Sequence, residues 1–256
     1  MDPGTATGLG LTLALIGVVA GGAILGVLAL LVRASDTGLV TLDRSAATWG
    51  ADNATTLSTA VLRVITQLGA TVTITVLAIA LAVFEYRRAP SRSVPGYLAL
   101  VVIGQLVMVN LIKLVIARAR PDIDPLAGFT GASFPSGHTT AAASFYAAAA
   151  LMLGRGRPLR VRSILAGVAV TVALAVGASR VLLGVHWFTD VLAGLALGWS
   201  WFAICAVAFG GRLMRFAAPV EAAQVAAETG SAPSGVEAAV SEPGSAGYGS
   251  AEERKP

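Results

Sequence analysis

Six stretches of this chain run almost without charge for close to the thickness of a membrane: Gly8 to Val32, Val64 to Phe84, Gly96 to Ala117, Gly137 to Leu153, Ser163 to Leu183 and Phe188 to Phe209. Crossing an apolar layer of about 30 Å takes roughly 20 helical residues. Inside that layer the backbone has no water to bond to, so each crossing must satisfy its own hydrogen bonds. The runs are continuously apolar and lack the period-two alternation of an outer-membrane barrel. The expected fold class is therefore all-α, a bundle of six transmembrane helices over residues 1–216. With 55% hydrophobic and only 12% charged residues, the sequence has too little surface charge for a soluble globule of this length. The first run has no positive segment in front of it and exceeds a signal-peptide core, so it is expected to be a retained span.

Arginine placement sets an expected orientation. The segments joining helices two to three and four to five, and the stretch after helix six, carry Arg87, Arg88, Arg92, Arg155, Arg157, Arg160, Arg162, Arg212 and Arg215, with Glu85 the one acid beside them. On the other side Arg33, Arg44, Arg118, Arg120 and Arg180 are matched by Asp36, Asp43, Asp52, Asp122, Asp124 and Asp190. The first set is expected in the cytoplasm of a plasma-membrane protein, with both termini. The net charge of +4 then reflects topology, and no basic soluble domain exists to take a nucleic acid. Residues Gly38 to Thr56 read as a short amphipathic helix in the outer interface. Residues 217–256, rich in Ala, Glu, Gly, Ser and Pro, read as a disordered cytoplasmic tail. The single Cys205, deep in the last run, reads as a small apolar filler.

The charges inside the apolar runs carry the chemistry, because intramembrane charge is expensive and by default functional. The chain has two histidines, and both lie in polar clusters: Pro135-Ser136-Gly137-His138 and Ser179-Arg180-x5-His186-x3-Asp190, preceded by Lys113-x6-Arg120-Pro121. All three clusters fall at helix ends on the outer side. Lys113 and Arg120, seven apart, return to nearly one face of a helix about 10 Å along its axis, within reach of a shared anion; Pro121 then ends the helix. The alternative, snorkelling to the headgroups, fits Arg118. Ser136 suits the N-cap of helix four, and Gly137 leaves backbone N–H groups open to an anion at a helix N-terminus. The alternative is a plain cap with His138 at the interface. His186 and Asp190, four apart, share a face, so a carboxylate can hold one ring nitrogen and leave the other free to attack. Arg180 reaches the same anion across a turn at Gly184, while the alternative for Asp190 is a plain cap of helix six.

Taken together, the three clusters match the tripartite signature of the type 2 phosphatidic acid phosphatase (PAP2) family of membrane lipid phosphatases, and the chain resembles that family from about Leu39 to Gly198. The resemblance implies a core shared with vanadium-dependent haloperoxidases. It implies that His186 is the nucleophile forming a phosphohistidine, Asp190 its orienting partner and His138 the acid for the leaving group. Lys113, Arg120, Ser136, Gly137 and Arg180 are implied as the phosphate-binding shell.

In-line phosphoryl transfer needs neutralised oxygens, a nucleophile and a proton for the departing oxygen, and this residue set supplies them. No cofactor and no metal are expected, since the cations supply the electrostatics and Asp122 with Asp124 fit a solvated turn. The expected activity is removal of phosphate from a lipid phosphate or diphosphate among the membrane lipids, with no nucleic-acid partner. An outward site favours undecaprenyl diphosphate. Phosphatidic acid, phosphatidylglycerol phosphate, transfer to a lipid acceptor and, in a different class, an anion or lipid transporter are the alternatives. The oligomeric state is not legible in the sequence.

Overall fold

In the computed structural model the described residues are 18–30, 38–88, 90, 92–123 and 125–229, and the surroundings of side chains are described up to residue 209. Residues 1–17, 31–37, 89, 91, 124 and 230–256 lie outside them, so the start of the first run, Asp124 and most of the expected tail are not described. The described elements are helices: α1 (Val18–Leu30), α2 (Gly38–Asp52), α3 (Thr56–Gln67), α4 (Thr71–Arg88), α5 (Ser93–Ile116), α6 (Gly137–Leu153), α7 (Leu159–Leu182) and α8 (Phe188–Thr229).

Three of them are long and apolar enough to cross a membrane: α5, α7 and the Phe188–Phe209 part of α8. The chain is a multi-pass membrane protein. A fourth candidate is the pair α3 and α4, bent by 46° at the short break between them. The expectation of six uniform spans is thus met in part. The run Val64 to Phe84 is not one straight helix, because the chain turns at Leu68 to Ala70. The described part of α1, Val18–Leu30, is short. The α6 helix covers 17 residues, and Pro135 stands just before it.

Although short, α6 is the centre of the bundle and packs against α4, α5 and α7. Its small residues make this possible: Ala141, Ala142, Ala143, Ser144 and Ala148 are all buried, so neighbouring backbones approach closely. On one side Tyr97, Leu98, Val101, Ile74 and Phe145 join α4 and α5 to it. On the other side Ala173, Val176 and Val191 join α7 and α8. Leu28 of α1 packs with Phe134 and Ala193. Cys205 is buried in the first of these clusters. Large apolar side chains such as Leu114, Val72 and Val115 point outward, as a lipid-facing surface requires.

Antiparallel packing sorts the ends of the helices. The C-terminus of α5, the N-terminus of α6, the C-terminus of α7 and the N-terminus of α8 lie at one end. At the other, Arg155 of the α6–α7 turn pairs with the buried Glu85 of α4. Within the Gly38 to Thr56 segment, Gly38–Asp52 is helical, and its inner side buries Asp43, Ala47 and Gly50. The helical backbone of α8 is described to Thr229.

Candidate active site

The loop of residues 117–136 is held to the helix ends by its own backbone. The α5 helix stops at Ile116 because Ala117 takes a left-handed conformation (φ 49°) and returns its N–H to Lys113 O. Arg120 is therefore in the loop and not on the helix, which corrects the reading of Lys113 and Arg120 as one helical face and of Pro121 as the terminator. They converge all the same. Lys113 Nζ donates to Ala132 O at 2.7 Å, and Arg120 Nη2 donates to Ala132 O at 3.3 Å and to Thr130 O at 3.0 Å. Arg63 of α3 holds Leu126 O, and Leu126 N–H donates to Leu183 O.

His186 follows a turn at Gly184 (φ +68°), a conformation that glycine adopts at no steric cost. Val185 N–H and His186 N–H both donate to Arg180 O, which fixes the histidine to the end of α7. Its ring is buried (2% exposed), and Nδ1 lies 3.3 Å from Asp190 Oδ2. A carboxylate can only accept, so Nδ1 carries the proton and Nε2 the lone pair. Arg120 Nη1 lies 3.2 Å from Nε2, and a guanidinium can only donate; the second contact demands the same tautomer. Burial pushes the His186 pKa down from 6.5 to about 4, outweighing the upward pull of Asp190. At neutral pH the ring is an uncharged base. Burial also lowers the Arg120 pKa, with Asp190 acting in the opposite direction.

The remaining expected residues lie around this ring. Arg180 is buried, donates from Nη1 to Thr66 Oγ1 of α3 at 2.9 Å, and keeps a buried Nε without a hydrogen-bond partner. The charges of Arg120, Arg180 and Asp190 all act on Lys113, and His138 is within electrostatic reach of Arg180, His186, Lys113 and Arg120. Ser136 stands at the N-cap position of α6, but its side chain caps no backbone N–H; Oγ pairs with Thr139 Oγ1 at 2.9 Å. Its N–H donates to Asp190 O at 3.0 Å, tying the start of α6 to the start of α8. A Cβ at Gly137 would meet Val109 only at 3.6 Å, an ordinary contact, so packing does not force glycine there. Among the described residues no group of three or more His, Cys, Asp or Glu is placed to hold a metal ion.

Two charged residues were misread from sequence. Arg118 does not snorkel: Nη1 donates to Asp190 Oδ1 at 2.6 Å and to Thr189 Oγ1 at 2.8 Å, and Nη2 donates to Asp43 Oδ2 at 2.7 Å. Asp43, on the helix expected to lie in the outer interface, is buried as well, being 1% exposed. Both carboxylate partners of Arg118 are remote in sequence, 72 and 75 residues away, and no spacing signal announces them.

Residues 95–213, which hold every motif above, match the PAP2 superfamily. Phosphatidylglycerophosphatase B of Bacillus subtilis (strain 168) is 43% identical over 109 residues, covering 40% of this chain and 52% of the relative. A lipid A 1-phosphatase of Rhizobium johnstonii is 36% identical over 119 residues, covering 43% and 45%. The chain thus spans about half the length of these relatives. The crystal structure of a transmembrane PAP2-type phosphatidylglycerolphosphate phosphatase from Bacillus subtilis superposes with a TM-score of 0.72 at 28% identity, covering 78% of this chain and 98% of that one. In motif, fold and sequence alike, residues 95–213 belong to the PAP2 superfamily.

Proposed function

We propose that this chain is a lipid phosphate phosphatase that works through a phosphohistidine on His186. The observation that carries the reading is the fixed tautomer of that ring, with Nδ1–H on Asp190, the Nε2 lone pair facing Arg120, and Lys113 and Arg180 nearby. Nε2 attacks phosphorus, the bond to the lipid oxygen breaks, and His138 gives that oxygen a proton. Water activated by the now neutral His138 then attacks the phosphohistidine, releasing inorganic phosphate and restoring both histidines. Lys113, Arg120 and Arg180 neutralise the equatorial oxygens, while the α6 N-terminus at Ser136 and Gly137 offers backbone N–H groups.

Phosphatidylglycerol phosphate ranks first as substrate, ahead of undecaprenyl diphosphate, because a relative and a structural neighbour both carry that activity in their names. The site is assigned to the outer face, since the arginine-rich turns lie at the opposite end of the bundle. The transporter alternative has less support: it needs polar groups along a path through the membrane, whereas these cations gather at one end.

Phosphate release by purified protein should be measured on phosphatidylglycerol phosphate, phosphatidic acid and undecaprenyl diphosphate. His186→Ala is expected to abolish turnover and the acid-labile phosphate trapped on the wild type. Turnover retained by that variant would overturn the reading.

A further inference from the structure

We propose that α2 belongs to the catalytic apparatus: Asp43, acting through Arg118 and Thr189, is a positioning residue for the Asp190 carboxylate and thereby for the ring of His186. This rests on the reading of His186 as nucleophile. The α2 helix lies outside residues 95–213, the stretch that matches the superfamily.

Asp190 is fully buried, and its two oxygens have separate tasks. Oδ2 accepts from His186 Nδ1 and from Trp187 N–H at 3.0 Å, while Oδ1 takes Arg118 Nη1. Rotation of the carboxylate away from the ring would break the Arg118 bond. Arg118 is held in turn by Asp43 on its other nitrogen and by the Trp187 ring, 5.5 Å from Cζ. Asp43 closes the circuit, because Oδ1 accepts Thr189 N–H at 2.8 Å and Oδ2 accepts Thr189 Oγ1 at 2.6 Å. A residue of α2 thus fixes both the cation that orients Asp190 and the backbone immediately before it.

Charge gives the arrangement a second use. Two carboxylates share one guanidinium, so the buried cluster keeps one net negative charge beside His186. On phosphorylation at Nε2 the ring, still protonated at Nδ1, becomes cationic. A negative cluster stabilises that state more than the neutral resting ring, and only such a difference speeds the step. Neutralising Asp43 leaves the Arg118–Asp190 pair with no net charge.

The test is rapid acid quench of phosphoenzyme formation in full-length purified protein, with orthovanadate inhibition as the measure of an intact phosphate shell. Asp43→Asn is expected to slow phosphorylation about tenfold or more, the scale on which outer partners of a functional histidine act, with the vanadate inhibition constant unchanged. Arg44→Gln, on the exposed side of α2, should leave the rate unaltered. Because Asp43 acts through Asp190, adding Asp43→Asn to Asp190→Asn should cost little further rate, whereas an independent packing role would multiply the two losses. A wild-type phosphorylation rate in Asp43→Asn, or multiplicative losses in the double variant, overturns the proposal. Should Asp43→Asn fail to fold, Thr189→Val, which removes only the hydroxyl link, is expected to show the same split between rate and vanadate binding, and equal loss in both would reject it. Phosphoenzyme formed by His186→Ala would instead overturn the reading beneath.

Discussion

On the proposed function the side chain that decides the chemistry is His186, and what suits it to act as a nucleophile is an enforced tautomer with little charge at rest. Asp190 and Arg120 each require the proton on Nδ1, and burial keeps the ring neutral. Arg120 caps the lone pair of Nε2, so an incoming phosphoryl group must exchange places with the guanidinium, which can then follow onto its oxygens. The depressed pKa has a cost that can be measured. An unfolded histidine takes its proton near pH 6.5, whereas the folded one resists until about 4. Stability from this group is complete above about 6.5, is lost as pH falls toward 4, and falls no further below it. In mild detergent the unfolding midpoint of wild type is expected to drop more steeply from pH 6.5 to 4 than that of His186→Gln; parallel curves would show that the ring titrates normally. The His186–Asp190 pair was legible in the sequence because four residues at the start of a helix bring two side chains together whatever the rest of the fold does. Arg118 was not, because its partners arrive from α2 and α8 and only tertiary packing brings them to it.

Among the elements, the meeting of α6 with α8 sets the geometry of the site. Gly194 and Gly198, spaced as in close-packed membrane helices, let α8 approach the first turns of α6. A Cβ at Gly194 would lie 2.8 Å from Ser136 O and 3.0 Å from Thr139 Cβ, and one at Gly198 would lie 2.7 Å from Thr140 O. These distances leave no room for a methyl group, and Ser136 and Thr139 are the residues that would have to move. Gly194→Ala is expected to cost about 1–3 kcal/mol of stability, the usual penalty for overpacking, and to lower activity with it. Gly137→Ala makes the opposite case: the methyl group has space, so the variant should fold with an unchanged or higher unfolding midpoint while losing affinity for vanadate at the backbone it covers. Full vanadate affinity in Gly137→Ala would show that the anion does not approach there. Hydropathy located these helices well but not their ends. The α5 helix stops at Ile116 by a left-handed alanine that no residue preference signals, and the run through α3 and α4 hides a 46° bend.

For the whole molecule, the clustering of helix ends gives the protein two chemically different poles, and the proposed orientation places them on opposite sides of a membrane. One pole holds Lys113, Arg120, Arg180 and His186 beside matching aspartates; the other holds Arg155 with Glu85 and the arginines of the α4–α5 and α6–α7 connections. On the proposed orientation the second pole faces the cytoplasm. In a Cys205→Ala background, a cysteine at the exposed Thr130, in the loop above the site, should react with a membrane-impermeant maleimide in intact cells. One at the exposed Arg157, in the α6–α7 turn, should react only after permeabilisation. The pair is chosen so that each position controls for the reactivity of the other. Substrate access follows from the outcome: an outer site meets lipid phosphates presented at the external leaflet, and its released phosphate leaves on that side. The reverse labelling pattern would place His186 in the cytoplasm and restrict the substrate to lipid phosphates of the inner leaflet, with the same chemistry at phosphorus.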